Sequence, residues 1–466
     1  MNTAAENHTA RNTTQDKVAI IGAGPAGLAT ARALDTLGID FDVFEKHSDV
    51  GGIWDVNNQG SPMYDSAHFI SSKTMSGHQG YPMPDDYPDY PSNKQILTYI
   101  RDFATAYGLK SKIHFNSTVN QVSEASGGWH IEVEQEGSVQ QKHYRWLVCA
   151  NGTNWFKNQP EIKGQETFLG EIIHSVDYHN TEKMMGKRVL VIGAGNSGID
   201  IACDAAFSAD EAYISMRRGY HFLPKHIFGE PVDVFGSKSG WLPMWIQQRT
   251  FGALLRLING DLTRLGLKKP DHKVLSSHPI VNGQLLHYLQ HGDIKAKVGI
   301  ERVQGNTVYF TDRSQVDVDL IIQATGYNWR IPYLNDSVFE WQNNRPQTFL
   351  KIFNRKHSNL FINGFVETNG GAYKLFDEMA LLIAKTIEAQ AIKPELAKRI
   401  QSFIEGPEAD LSGSVSYVES ARHTGYTNSD AYRAAMKDMR NKLGFPSAEE
   451  FYSEPENQHQ FATAKA

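Results

Sequence analysis

A piece of chain grammar that occurs twice constrains this sequence more than any other feature. The β-branched run VAII at 18–21 leads into the glycine turn GAGPAG at 22–27, then into an Ala- and Leu-rich helical stretch. A second apolar strand over 41–44 ends at Glu45. About 170 residues later the order returns as strand VLVIG, turn GAGNSG at 193–198, helix, and a strand over 212–216 that ends in Arg217 and Arg218. A glycine turn between strand and helix is weak evidence alone, because such turns also serve close packing. In this context each glycine has its own part to play. Gly22 and Gly193 make the tight turn, Gly24 and Gly195 let a pyrophosphate approach the backbone, and Gly27 and Gly198 let helix and strand touch. Each following helix then points its N-terminus at anionic oxygens. The fold class is therefore α/β, with two Rossmann-like dinucleotide-binding domains.

The two copies differ where the chemistry must differ. Glu45, 18 residues after Gly27, is placed to accept hydrogen bonds from ribose hydroxyls. Arg217 holds the corresponding place 19 residues after Gly198, where a guanidinium pairs with a 2′-phosphate that a carboxylate would repel. Arg218 stands ready to assist. The second nucleotide is thus expected to be NADP(H), and the first an ADP moiety with a free ribose.

Composition removes other classes. The 466 residues are 40% apolar and 21% charged, the profile of a folded globular protein long enough for two compact units. Lys and Arg number 46 against 52 Asp and Glu, a net charge of −6 that argues against nucleic acid as a partner. Only Cys149 and Cys203 occur, far apart and in apolar or small-residue surroundings, so neither a disulfide framework, a metal cluster nor a redox-active cysteine pair is expected. The first 17 residues lack an apolar signal core, and no stretch approaches the roughly 18 apolar residues that span a bilayer, so a cytoplasmic protein without a transmembrane segment is expected.

Ser92 followed by Gln95 predicts a capped helix to about Tyr107. Alternation over 113–122 and 129–134 predicts an antiparallel ribbon, and residues 146–150 a buried strand. A strand over 320–324 ends in Ala324, Thr325, Gly326 and Tyr327, and a long helix is predicted over 374–391. The Trp-rich stretch 241–258 suits a helix packed on the second domain better than one resting on a membrane, since its polar face carries only Gln247, Gln248, Arg249 and Arg256.

Between the glycine turns, Phe168, Gly170, His174 and Tyr178 fit the pattern F-x-G-x-x-x-H-x-x-x-Y. With Gly51-Gly52-Ile53-Trp54 after Glu45, Met216-Arg217-Arg218-Gly219 with Leu223-Pro224-Lys225, and Ala324-Thr325-Gly326-Tyr327, the chain resembles the flavin-containing monooxygenases, class B flavoproteins of the soluble bacterial type. The likeness runs from about Lys17 to Tyr327 and, with the C-terminal helix, to about Lys393. It implies FAD at Gly22, Ala23, Gly24, Pro25, Ala26, Gly27, Glu45, Ile53 and Trp54, and NADP(H) at Gly193, Gly195, Asn196, Ser197, Gly198, Ile199, Asp200 and Arg217, with Arg218, Thr325 and Gly326 beside them. Asn369, in Glu367-Thr368-Asn369-Gly370, sits where the family's C-terminal part returns to the flavin. His174 reads as a hinge in the linker rather than a proton donor. The implied layout is an FAD domain over 16–183 and 320–446, an inserted NADP domain over 184–319, and tails at 1–15 and 447–466.

One departure stands out. Where the family places an Asn three residues before a Lys or Arg, in contact with flavin and nicotinamide, this chain has Ile70 before Lys73, flanked by Phe69, Ser71 and Ser72. An alkyl group donates no hydrogen bond. Ile70, Ser71 and Ser72 are accordingly the candidate catalytic positions, with Ser71, Ser72 or a backbone amide as replacement donor. The resemblance implies NADPH- and O2-dependent oxygenation of an amine nitrogen or sulfide sulfur through a C4a-hydroperoxyflavin. The related Baeyer-Villiger enzymes carry Trp at the place of Tyr178, which tilts the reading from ketone oxidation toward heteroatoms. An NADPH oxidase releasing H2O2 and a flavin-bound redox sensor stay open, as does assembly as a homodimer.

Overall fold

The computed structural model describes residues 16–420, 423 and 425–453. The tail expected at 1–15 lies outside them. Both copies of the strand–turn–helix unit fold as the centre of a five-stranded parallel sheet. The first sheet runs in the order Leu360–Ile362, Trp146–Cys149, Val18–Ile21, Phe41–Phe44, Ile113–His114. The second runs Ile294–Lys297, Glu211–Ser215, Arg188–Ile192, Leu320–Gln323, Glu171–His174. Every residue of Val18–Ile21 is buried, as a strand covered on both faces requires. In each sheet the glycine-turn strand lies where successive connections leave in opposite directions, so a crevice opens at its C-terminal end.

The second sheet is wider than the expected insertion. Leu320–Gln323 pairs with Arg188–Ile192, and Glu171–His174 adds to its other edge, so both belong to the second sheet although the layout read from sequence put them in the first unit. The reason is register: Leu320 to Gln323 pair with Val189 to Ile192 on one side and with Glu171 to His174 on the other, which no local pattern records.

The helix Tyr373–Ile392 buries Leu375, Met379, Leu382, Ile383 and Ile387 in the core that also holds Val18, Ile20, Leu28 and Leu34 of the first unit. Helix Asn93–Ala106 begins with the expected capping box at Ser92 and Gln95. The ribbon has three strands, Ser117–Ala125, Gly128–Gln135 and Ser138–Tyr144, and the third escapes sequence patterning because it is an edge strand with polar residues on both faces. A second correction concerns the C-terminal tail. Ala448–Ser453 is a helix, with Phe451 and Tyr452 buried and the Tyr452 ring 3.7 Å from the Arg32 guanidinium.

The Trp-rich stretch forms helix Met244–Asn259, which packs through Leu255 onto a small cluster with Leu223, Ile227, Val232, Val274 and Val281. Trp241 and Trp245 face solvent, 81% and 64% exposed, so packing on the second unit covers only part of this segment. Among the described residues no helix is long and apolar enough to cross a membrane.

Candidate functional site

Four glycines of the two turns are demanded by packing, and Gly24 is not. Gly22 and Gly193 have φ of +108° and +114°, and a Cβ on them would lie 2.5 Å from the Ala150 carbonyl oxygen and 2.4 Å from that of Ala324. A Cβ on Gly27 would lie 1.9 Å from the Gly22 oxygen, and one on Gly198 2.4 Å from that of Gly193. Gly24 differs. Its backbone is extended (φ −76°, ψ −178°), and a Cβ there meets only the Gly52 Cα, at an ordinary 3.6 Å. Packing does not forbid a Cβ at Gly24, so the reason for glycine is the space in front of it. Helices Pro25–Thr36 and Asn196–Ser208 start within the turns, directly after Gly24 and Gly195 and without a side-chain cap, which leaves their first N–H groups for an anion. The residues present fit two dinucleotides.

A single cavity of about 1230 Å³ joins both turns. It is lined by Gly22, Gly24, Pro25, Ala26, Glu45, Ile53, Trp54, Phe69, Ile70 and Ser71 from the first unit, and by Gly193, Gly195, Asn196, Ser197, Gly198, Asp200, Arg217, Arg218, Thr325 and Gly326 from the second. Five expected site residues do not line it. Ala23, Gly27 and Ile199 sit behind the turns: Ala23 and Ile199 are core residues, and Gly27 is the contact point with Gly22. Ser72 is fully buried, and the Asn369 side chain accepts from the Ser429 amide to tie the chain to the helix that follows.

Glu45 and Arg217 both line this cavity. The Glu45 carboxylate is buried, accepts from the Ala23 amide at 2.8 Å and from the His47 amide at 2.9 Å, and faces the cavity. Arg217 is exposed to the cavity, and among the described residues no carboxylate pairs with it. Lys268 donates to the Arg217 carbonyl at 3.1 Å and adds a second cation there. The charge of this corner suits an anion.

The loop with Ile70 is strung between fixed points. The Phe69 amide donates to Pro91 O and the Lys73 amide to Asp89 O, both at 2.8 Å, while Lys73 Nζ donates to Asp85 O and Tyr87 O. Phe69 packs between Trp54 and Tyr373, with ring centroids 5.1 and 5.6 Å away. Ile70 faces the cavity at 37% exposure. Ser71 Oγ lines it too, and since it accepts from Ser76 Oγ at 2.7 Å it keeps its own proton for a ligand. Ser72 has no such access.

The motif between the turns is joinery. A Cβ on Gly170 would lie 2.3 Å from Asp319 O. His174 Nδ1 accepts from the Val176 amide, so Nε2 carries the proton and donates to Gly326 O at 3.1 Å. Burial pushes the His174 pKa below its ordinary value and keeps the ring neutral. Tyr178 Oη donates to Asp204 Oδ2 at 2.8 Å, which a Trp at that place would not reproduce. His174 lies outside the cavity lining.

Several residues that position the site give little sequence signal. Tyr64 Oη and Asn282 Nδ2 donate to the two oxygens of Asp200, at 3.0 and 2.8 Å, and the Tyr64 bond ties the second helix to the first unit; burial raises the Asp200 pKa even so. Under Tyr373, His78 stacks at 4.9 Å and shares buried Asp377 with Arg32. Burial alone would raise the Asp377 pKa, but His78 and Arg32 hold it below the ordinary carboxylate range. Arg345 pairs with Glu367 at 2.8 Å and lies 3.7 Å over the Trp329 ring, all three in the cavity wall. Only the capping and glycine patterns lie near these residues in sequence; their contacts span up to about 345 positions.

Comparison with known proteins agrees with this geometry. The family model described as FMO-like, flavin-binding monooxygenase-like, matches residues 15–444. Flavin-containing monooxygenase 5 of Oryctolagus cuniculus is 32% identical over 433 residues, 88% of this chain and 79% of its own length. Probable indole-3-pyruvate monooxygenase YUCCA8 of Arabidopsis thaliana is 31% identical over 341 residues, 71% of this chain and 79% of that protein. Among solved structures, OTEMO in complex with FAD and NADP superposes with a TM-score of 0.65 at 18% identity, covering 92% of this chain and 98% of the other. Tmm from Pelagibacter sp. gives 0.64 at 20% identity over 96% and 90%.

Proposed function

The chain belongs to the flavin-binding monooxygenase-like family and is an FAD-dependent monooxygenase that uses NADPH; from that premise we propose that it oxygenates a soft nucleophile, an amine nitrogen or a sulfide sulfur. The overall reaction consumes NADPH, a proton, O2 and the nucleophile, and yields NADP+, water and the oxygenated product. When bound, FAD supplies the hydride acceptor and the means of passing one oxygen atom of O2 to the substrate.

The chain's own part is to bind, orient and shelter. Glu45 receives the ribose of the first nucleotide, and the N–H groups after Gly24 receive its pyrophosphate. Arg217 pairs with the 2′-phosphate of the second. Trp54, Phe69 and Tyr373 close one wall with apolar surface, which keeps bulk water from the reacting centre. One observation carries the reading: Glu45 and Arg217, opposite charges suited to different nucleotides, line the same cavity. Tyr178, bonded to Asp204 through its hydroxyl, supports heteroatom over ketone oxidation.

Ile70 favours one alternative. An alkyl group exposed in the cavity, where relatives set an amide, suits an enzyme that loses part of its NADPH to H2O2. One assay separates these readings: NADPH loss, H2O2 and oxygenated product measured together over a panel of amines, sulfides and ketones. Product matching NADPH with an amine or sulfide supports the proposal. Ketone conversion to esters, or H2O2 equal to NADPH with every compound, overturns it.

A further inference from the structure

The loop that presents Ile70 and Ser71 to the cavity is held from a part of the chain remote from the flavin unit. Its ends are fixed within that unit, by Phe69 N–H to Pro91 O and Lys73 N–H to Asp89 O. Between them the Ser72 N–H donates to Asp233 Oδ2 at 2.7 Å, across 161 positions of sequence. Asp233 belongs to the short helix Val232–Ser237, in the segment of the second unit that follows Arg217 and Arg218. Its other oxygen accepts from the Val234 amide at 2.9 Å, so the carboxylate is aimed rather than free to swing. Ser72 is fully buried and its Oγ has no hydrogen-bond partner; its carbonyl accepts from the Met75 amide at 3.1 Å within the same loop, so the amide is its tie to the distant segment. Two contacts flank it: Tyr90 Oη accepts from the Val232 amide at 3.3 Å, and His226 Nε2 lies 2.9 Å from Asp89 Oδ2.

We propose that Asp233 is a positioning residue for the oxygenation reaction, holding the Ile70–Ser71 loop in place from the NADP-binding side of the cavity. The proposal rests on the flavin monooxygenase reading above. Its physical basis is the strength of a bond from a buried amide to an ionised carboxylate, roughly twice that of a neutral one. With it the part of the cavity wall made by Ile70 and Ser71 has one position. Without it the two residues between Phe69 and Ser72 move, and water gains access to the space they line. Because Asp233 sits in the second unit, the loop's position is set by where that unit lies.

The test uses the FAD-loaded protein and three variants. Asp233→Ala removes the acceptor, Asp233→Asn keeps a carbonyl oxygen at the same place, and His226→Ala breaks the neighbouring contact while sparing this one. Hydrogen–deuterium exchange is read on a peptide covering residues 69–76, and H2O2 formed per NADPH is read beside it at matched melting temperature. Asp233→Ala should raise exchange at the Ser72 amide about tenfold or more and raise the H2O2 fraction several-fold. Asp233→Asn should recover most of both, and His226→Ala should change neither. Unchanged exchange in Asp233→Ala overturns the proposal, and so does faster exchange with an unaltered H2O2 fraction. If the alanine variant does not fold, Asp233→Ser, whose hydroxyl is shorter, takes its place under the same criteria. A wild-type protein that consumes no NADPH would refute the enzymatic reading instead, while the exchange measurement would still judge the bond itself.

Discussion

Replacing Gly24 and Gly27, three positions apart in one turn, should separate ligand binding from folding. Gly27→Ala places a Cβ 1.9 Å from the Gly22 carbonyl oxygen, a distance at which backbone must move, so a loss of more than about 3 kcal/mol of stability is expected. Gly24→Val meets no such obstacle. The position is extended, and its new Cβ finds only Gly52 Cα at 3.6 Å. The cost to the FAD-free protein is that of a poorer N-cap residue, about 1 kcal/mol, and its Tm should stay within about 3 °C of wild type. The added methyl groups fill the space through which an anion reaches the first N–H groups of helix Pro25–Thr36. Keeping a pyrophosphate off one or two of those donors costs about 1.5 to 6 kcal/mol, or ~10- to 10⁴-fold in Kd. Apo-protein of each variant is titrated with FAD by flavin fluorescence, and its melting is followed separately. Gly24→Val that purifies with stoichiometric FAD, or Gly27→Ala as stable as wild type, would refute the division of labour.

Three further outcomes are expected. Arg217→Ala should raise the KM for NADPH about tenfold to a hundredfold and leave NADH nearly unchanged; an equal loss with both coenzymes would remove the 2′-phosphate role. Burial works against ionised Asp42, yet bonds to His114 and Tyr144 and the charge of Lys17 bring its pKa down to about 2, so its stabilisation is fully present above the unfolded value near 4 and is lost as pH falls through about 2. Asp42→Asn should therefore cost about 2 kcal/mol at pH 7, and urea titrations should show the gap to wild type narrowing below about pH 4; a gap independent of pH would contradict this. Ile70→Asn should lower the H2O2 fraction about twofold to tenfold, the worth of one neutral hydrogen bond. No change in that fraction would mean that Ser71 or a backbone amide already supplies the donor.

The duplicated strand, turn and helix were legible in the sequence because each is local: the apolar run, the glycines and the helix start lie within about 20 residues, and the side-chain period of each element repeats inside it. Glu45 and Arg217 were legible for the same reason, standing at a fixed count from the third glycine of each turn. Sheet membership was not. Glu171–His174 and Leu320–Gln323 are ordinary apolar strands by pattern, and only pairing assigns them to the second unit, with Leu320–Gln323 lying between Arg188–Ile192 and Glu171–His174. The helix Ala448–Ser453 hid in a polar tail because Phe451 and Tyr452 find their burial against residues far back in the chain, Arg32 among them. Ser72 illustrates the same limit at the site. Sequence offered its hydroxyl as a donor beside Ile70, whereas tertiary packing turns that hydroxyl away from the cavity and hands the amide to Asp233. Local pattern determines which nucleotides the chain can hold, because their recognition is built from short turns; which side chains share the space between them depends on contacts over tens to hundreds of residues, which packing alone decides.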